Sequence, residues 1–272
     1  MNPGKLLTCA ILCISLSVHA QTGYSDAGAS ANSMGNTGIA NPDVFSAQNN
    51  QAAMAFAENA SVGISTQNYF LMDEGLNAFY AAGIIPVQRA GNFGITAHYT
   101  GDATFNQTKI GLGYGRKLAD VLAIGVQLDY VGTNTSEVGN GTAFTFDIGV
   151  LYKPTKTLSI GAKAFNPVRV KNGLEYAEEL PAIITAGLQW QPSEFVRVCL
   201  EGEQNIDQDL RIKTGIEYHI IDVLYLRGGY ISNPSMFTTG IGLKLKTFML
   251  DAGAQFHQQL GVTPGVSLQY AF

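Results

Sequence analysis

The stretch Leu122-Ala123-Ile124-Gly125-Val126-Gln127-Leu128-Asp129-Tyr130 alternates without a break. Leu122, Ile124, Val126, Leu128 and Tyr130 fall on one side, and Ala123, Gly125, Gln127 and Asp129 on the other. A period of two marks an extended strand, whose successive side chains point to opposite faces. The pattern recurs over 143–152, with Phe144, Phe146, Ile148, Val150 and Tyr152 set against Thr145, Asp147 and Gly149. It recurs again over 210–220, with Leu210, Ile212, Ile216, Tyr218 and Ile220 set against Arg211, Lys213, Gly215, Glu217 and His219. What covers the apolar side decides the fold.

Outward from these segments, about fourteen strands follow one another from residue 58 to the end. They lie near 59–70, 75–86, 91–101, 106–116, 120–132, 142–153, 156–166, 182–191, 195–205, 208–219, 222–232, 235–246, 247–257 and 263–272. A strand with its turn averages about 15 residues, which suits strands of roughly 9–11 residues crossing a bilayer at a tilt. A soluble sandwich also alternates, but three features point to lipid. The polar face carries charges: Lys109, Asp129, Asp147, Lys163, Arg197, Glu201, Arg211, Lys213, Glu217, Arg227, Lys244 and Asp251. Aromatic residues sit near strand ends (Tyr99, Tyr130, Tyr152, Tyr218, Tyr230 and Tyr270), where a membrane barrel places its girdles. Short connections at 153–156, 192–194, 220–221 and 246–247 alternate with longer ones at 132–142, 166–181 and 257–263, as periplasmic turns alternate with outer loops. The expected fold is an all-β transmembrane antiparallel barrel of about fourteen strands, residues 58–272, in a bacterial outer membrane. Both termini are expected on the periplasmic side, which requires an even strand number, and fourteen is even.

The ends of the chain agree with this. Lys5 precedes an apolar run, Leu6 to Val18, and Val18-His19-Ala20 suits a signal peptidase, so residues 1–20 read as a secretory signal. Thirteen apolar residues are too few to span a bilayer as a helix. Cleavage leaves Cys199 as the one cysteine, which excludes an internal disulfide. At the other end, Ser267-Leu268-Gln269-Tyr270-Ala271-Phe272 alternates and closes on an aromatic residue, the form of signal that outer-membrane assembly machinery reads.

Composition excludes other classes. The chain is 46% hydrophobic and 14% charged, which is wrong for a disordered chain. Its formal charge of −5 gives no footprint for nucleic acid. No metal-ligand spacing occurs, and no cofactor is expected. Catalysis would need a nucleophile and base in reach of each other. Ser267 and His219 qualify only by their presence, so no enzyme is expected. The doublets Gly111-Leu112-Gly113 and Gly240-Ile241-Gly242 read as small inward residues rather than phosphate cradles.

Residues 21–57 are rich in Ala, Asn, Gly and Ser. Pro42 and Asp43 mark a turn, and 46–57 reads as a short helix capped by Ser46. In a membrane barrel this segment is the right length for a plug or periplasmic lid. Several phrases resemble the PorV/PorQ-type barrels of Bacteroidota, relatives of the FadL hydrophobic-compound transporters. They are Ser33-Met34-Gly35; Asn50-Gln51-Ala52, where that family carries Asn-Pro-Ala; Phe165-Asn166-Pro167 with Leu180-Pro181 and Gly187; and the run from Thr214 through Glu217-Tyr218-His219 and Arg227-Gly228-Gly229 to Tyr230. The resemblance spans nearly the whole mature chain. It implies a fourteen-stranded barrel with an N-terminal plug, in which Met34, Gly35, Asn50, Gln51 and Ala52 are plug residues. The implied activities run from uptake of hydrophobic substrates to accessory roles in type IX secretion, including lipopolysaccharide deacylation.

The inner charges are mixed in sign, seven basic and five acidic among those named. Mixed charges with many glycines point to paired groups filling a narrow interior. An occluded barrel is therefore expected rather than an open porin. Two functional classes follow. In one, a hydrophobic small molecule passes through or binds. In the other, the barrel is a non-transporting platform in a type IX secretion or envelope complex. Its contact surfaces would be the loops 132–142 and 166–181, the latter carrying Arg169, Lys171, Glu175, Glu178 and Glu179. The other expected partner is outer-membrane lipid.

Overall fold

The computed structural model describes residues 26–71, 76–87, 89–136, 139–173 and 179–272. The proposed signal at 1–20 and the loop residues Glu175 and Glu178 lie outside them. Three short helical turns come first: α1 (Ala29–Ser33), α2 (Ser46–Asn49) and α3 (Gln51–Met54). Fourteen strands follow: β1 (Ser61–Asn68), β2 (Asn77–Val87), β3 (Gly91–Gly101), β4 (Phe105–Ala119), β5 (Leu122–Thr135), β6 (Gly139–Tyr152) and β7 (Leu158–Phe165) form the first half. The second half is β8 (Ile183–Ser193), β9 (Val196–Asn205), β10 (Arg211–Ile221), β11 (Leu224–Ile231), β12 (Met236–Leu245), β13 (Phe248–His257) and β14 (Gly261–Ala271). Each strand pairs with the next, and β1 closes on β14, from Ser61↔Ala271 to Gln67↔Gly265, so every strand has a neighbour on both sides. Closure removes the unpaired backbone groups that neither lipid nor a sheet edge tolerates.

The barrel is apolar outside and polar inside. Leu128 and Phe144 leave 69% and 75% of their surface exposed, while Asp147 and Lys213 are fully enclosed. A soluble sandwich buries the first kind and exposes the second, so the alternation has been resolved in the sense a transmembrane barrel requires. At one rim lie both ends of the barrel domain and the two- to five-residue turns, such as 120–121 and 153–157. We call this the terminal end and the opposite rim the loop end.

Two expectations need correction. The connection expected at 132–142 is mostly strand, because β5 and β6 pair as far as Thr135↔Gly139. The stretch is rich in Gly, Thr and Asn and reads as loop, but ladder hydrogen bonds use the backbone and continue beyond the apolar belt. The connection expected at 257–263 is likewise a tight turn between His257 and Gly261. The second correction concerns 46–57, which is not one helix capped by Ser46. Asn50 turns extended at φ −162° and splits it, and its own side chain caps α3 by accepting the Ala52 N–H at 3.1 Å.

Candidate functional site

Residues 26–57 sit inside the terminal half of the barrel, and their seat is made of glycine. Inward-facing glycines of β4–β7 and β10–β13 leave no room for a Cβ. One at Gly215 would meet the carbonyl of Met34, and one at Gly229 the backbone of Gly35. One at Gly240 or Gly253 would meet the Ser33 hydroxyl. Across the lumen the same holds for Gly115 and Gly125 against Gln51 and Ala52, Gly149 against the Asn50 amide, and Gly161 against the Ile39 carbonyl. Gly35 itself takes φ 70°, a conformation other residues rarely adopt, where it turns against Thr214 and Tyr230. The glycine content of the wall is thus a mould that brings the plug backbone against the strands.

Polar side chains of the wall then pin the plug. Thr238 Oγ1 accepts the Gly35 N–H and donates to the Ser33 carbonyl, both at 2.8 Å. Ser267 accepts the Ala29 N–H at 3.2 Å. Glu201 Oε1 accepts the Ile39 N–H at 2.8 Å. On the far side, Asn92 donates to the carbonyls of Met54 and Ala57 at 2.5 and 2.9 Å. Lys163 donates to the Gln48 carbonyl at 2.9 Å. Asn50 reaches both ways, donating to Ile39 within the plug at 2.7 Å and to Val150 on the wall at 3.1 Å.

The charges at and above plug height form three paired networks. Lys109 lies between Asp129 at 3.4 Å and Asp147 at 3.5 Å, with Lys163 at 3.8 Å from Asp147, which also accepts from Gln51 at 3.3 Å. Glu203 receives Lys213 at 2.5 Å and Arg211 at 2.8 Å, and Asp26 of the plug adds a second carboxylate 3.5 Å from Lys213. Glu217 receives Arg197 at 2.8 Å and Arg227 at 2.6 Å, and Arg227 also grips Asp251 at 2.7 Å. Arg197 extends this network to the plug through Asn41 at 3.0 Å. Buried charges of this kind are tolerable because each has an opposite partner.

Of the candidate charges, Glu201 stands outside these ion pairs, held by the Ile39 N–H, and Lys244 departs further. It shares the inward register of Gly240 and Gly242, but its side chain is exposed at the terminal mouth. There it lines a recess of about 450 Å3 together with Asp43, His219 and Lys246. Glu203 and Asp26 complete the second network and were absent from the sequence candidates. The parity of Cys199, Glu201 and Glu203 on β9 signals the first; nothing local signals the second. Cys199 is a buried free thiol. Ser267 and His219 serve separate partners, Asp251 at 3.3 Å and Glu217 at 2.8 Å.

At the loop end, residues 166–173 and 179–182 of the connection between β7 and β8 fold onto the inner wall. Asn166, fully buried at φ 49°, ties it down. Its side-chain oxygen accepts from Thr145 at 2.8 Å and from the Val170 N–H at 3.1 Å, and its amide donates to the carbonyls of Leu180 and Pro181 at 2.8 and 3.3 Å. The Asn166-Pro167 and Leu180-Pro181 phrases are thereby the two halves of one clasp. It holds Val170 and Leu180 against Val131 and Ala143 of the inner wall. Arg169 strengthens it through Glu179 at 2.8 Å. Beside Gln48 and Asn49 of the plug lies a small chamber of about 40 Å3, bordered by Asp26, Lys109, Lys163, Phe165, Ile183 and Glu203.

The sequence matches no protein-family profile and no curated relative. The fold does have solved counterparts. The Pseudomonas putida toluene transporter TodX aligns with a TM-score of 0.73 at 14% identity, covering 92% of this chain and 99% of that one. The Ralstonia pickettii toluene transporter TbuX aligns with a TM-score of 0.69 at 13% identity, covering 91% and 99%. A FadL homologue of Pseudomonas aeruginosa aligns at 0.69 and 11%, covering 90% and 98%. At these identities the likeness is one of architecture: this chain has the closed-barrel fold of FadL-like channels.

Proposed function

We propose that the protein is a bacterial outer-membrane barrel that passes or binds a hydrophobic small molecule, seen here closed. The observation that carries this reading is how the lumen is stopped. Both closures are non-strand segments, the plug at the terminal end and the clasped loop at the other, and neither is part of the barrel wall. The loop-end closure is apolar where it meets the wall, at Val170 and Leu180. It also lies beside a short ladder: β6 pairs with β7 only over Asp147–Tyr152, leaving Gly139–Phe146 without that neighbour. Lifting the clasp exposes an apolar inner surface to a molecule arriving from the loop end. The paired charges below it, filling the space around the plug, suit a barrel that does not leak ions. The hydrocarbon transporters of the same fold support this cargo class.

The finer kinship with PorV/PorQ-type barrels of Bacteroidota rests on the Ser33-Met34-Gly35 and Thr214–Tyr230 phrases. The secretory leader, periplasmic termini and reading of Phe272 by the assembly machinery belong to the same proposal. A platform role in type IX secretion draws no support from the channels of like fold. The test is uptake of labelled toluene and of a labelled disaccharide by cells producing the barrel. Faster entry of toluene alone supports the proposal. Unchanged toluene entry, or equal acceleration of both, contradicts it.

A further inference from the structure

The recess of about 450 Å3 at the terminal mouth is built by plug and wall together. Asn41, Asp43 and Val44 close it from the plug side. Register turns its wall residues toward the lumen. His219 follows Gly215 and Glu217, Tyr225 and Arg227 precede Gly229, and Lys244 follows Gly240 and Gly242, each in steps of two. Charge balance differs with depth. At the inner end, Arg197 and Arg227 are matched by Glu217 and Asp251. Arg227 spends Nε on Glu217 and Nη1 on Asp251, which leaves Nη2 as its donor outside the network. At the mouth, Lys244 and Lys246 have no ion-pair partner among the described residues. The acids that share the recess with them are Asp43 and Glu58. Burial raises Asp43 to about 7, so at neutral pH it carries only part of a charge. His219, held by Glu217 at 2.8 Å, adds a further group that can take a proton. Val44, Tyr225 and Met249 give the recess an apolar side.

We propose that this recess binds a phosphomonoester from the water at the terminal end, and that the bound ligand locks the plug against the wall. A phosphate monoester carries about −1.5 to −2 charges at pH 7 and three acceptor oxygens. That suits two lysines and a guanidinium donor around one site, where a carboxylate offers two oxygens and a single charge. The volume falls within the roughly 300–1,000 Å3 of small-molecule pockets and leaves room for an organic body on the apolar side. The opening lies inside the ring of strands and not on the lipid-facing wall, which favours a soluble ester over a lipid headgroup. Because plug residues form one side, the recess is complete only with the plug seated, and a ligand that binds the seated form alone stabilises it. The proposal rests on the docking of residues 26–57 and is independent of the cargo.

The experiment titrates the full mature chain, folded in nonionic detergent, with phenyl phosphate, inorganic phosphate and benzyl alcohol by calorimetry. Heat-modifiable electrophoretic mobility reports folding. Phenyl phosphate is expected to bind once per barrel, inorganic phosphate more weakly and benzyl alcohol not at all, with affinity falling as salt rises. Lys244→Gln/Lys246→Gln is expected to lower the affinity for phenyl phosphate about tenfold. Arg116→Gln/Lys156→Gln, at the same rim but outside the recess, is expected to keep it. Saturating phenyl phosphate is expected to slow proteolysis of 26–57 several-fold in the parent and not in the lysine variant. Should the double variant fail to fold, Lys246→Gln alone is expected to lower the affinity by a smaller factor. No binding by the folded parent, equal binding of benzyl alcohol, or an unchanged affinity in a folded lysine variant overturns the site. Tighter binding of inorganic phosphate than of phenyl phosphate overturns the ester, and binding without protection of 26–57 overturns the lock. Toluene uptake plays no part in these readouts, so a failure of the cargo reading leaves them standing.

Discussion

The carbonyl of Met34 occupies the place where any residue but glycine at 215 would carry its Cβ. Plug and wall are therefore fitted at the level of the backbone, and glycines such as Gly115, Gly125, Gly161, Gly215 and Gly229 are read by the plug rather than by the sheet. A small side chain added at this contact should unseat the plug and spare the ladder. Gly215→Val is expected to raise single-channel conductance and to open 26–57 to protease in the folded barrel. Gly83→Ala, whose added carbon comes no closer than 3.5 Å to a neighbour, is expected to do neither. Equal behaviour of the two variants would refute the mould.

Glu217 is the hub of the third network, with Arg197, Arg227 and His219 all within 2.8 Å. Glu217→Gln strands the Arg197 guanidinium inside the barrel and leaves Arg227 to Asp251 alone. Breaking a buried pair in this way costs about 3–5 kcal/mol, so the urea midpoint of the barrel in lipid vesicles is expected to fall clearly. Asp102→Asn, in an exposed turn, is expected to shift it little. A midpoint unchanged in Glu217→Gln would mean that water, not pairing, supports these charges.

Asn166 secures the lid through four hydrogen bonds at a left-handed backbone position. Asn166→Ala loses the bonds and strains the backbone, whereas Asn166→Gly loses the bonds alone. Both are expected to make the 167–181 segment cleavable in an otherwise folded barrel, with the alanine variant the more sensitive. Resistance of both variants would show that Val170 and Leu180 hold the lid unaided.

Asp43, where the plug meets the terminal mouth, is pushed up to about 7, chiefly by burial and against the pull of Arg197. A carboxyl raised above its unfolded value is protonated in the docked plug and ionised when released. Docking therefore weakens as pH rises from about 4 to 7 and gains nothing below that window. Protease access to 26–57 is expected to increase from pH 5 to pH 8 in the parent and to stay level in Asp43→Asn. Parallel profiles would remove Asp43 from the account.

Much of this was legible in the residue order, for a physical reason. A wall one residue thick, with lipid on one side and a polar lumen on the other, writes its period of two directly into the chain, as in Leu122–Tyr130. The inward charges follow from the same parity, Glu203 included. Three things were not legible. The extent of β5 and β6 beyond the belt depends on backbone pairing that Thr and Gly do not advertise. The break at Asn50 depends on Ile39 and Val150, remote in sequence. The clasp of Asn166 on Leu180 and Pro181 joins two phrases whose spacing alone says nothing of contact.

The central claim is that residues 26–57 close the barrel. Conductance across planar bilayers, compared between the parent and a chain lacking residues 26–50, tests it most directly. The account predicts a parent that is nearly silent and a deletion variant with steady open-pore current. A deletion variant that folds, inserts and conducts no more than the parent would contradict it.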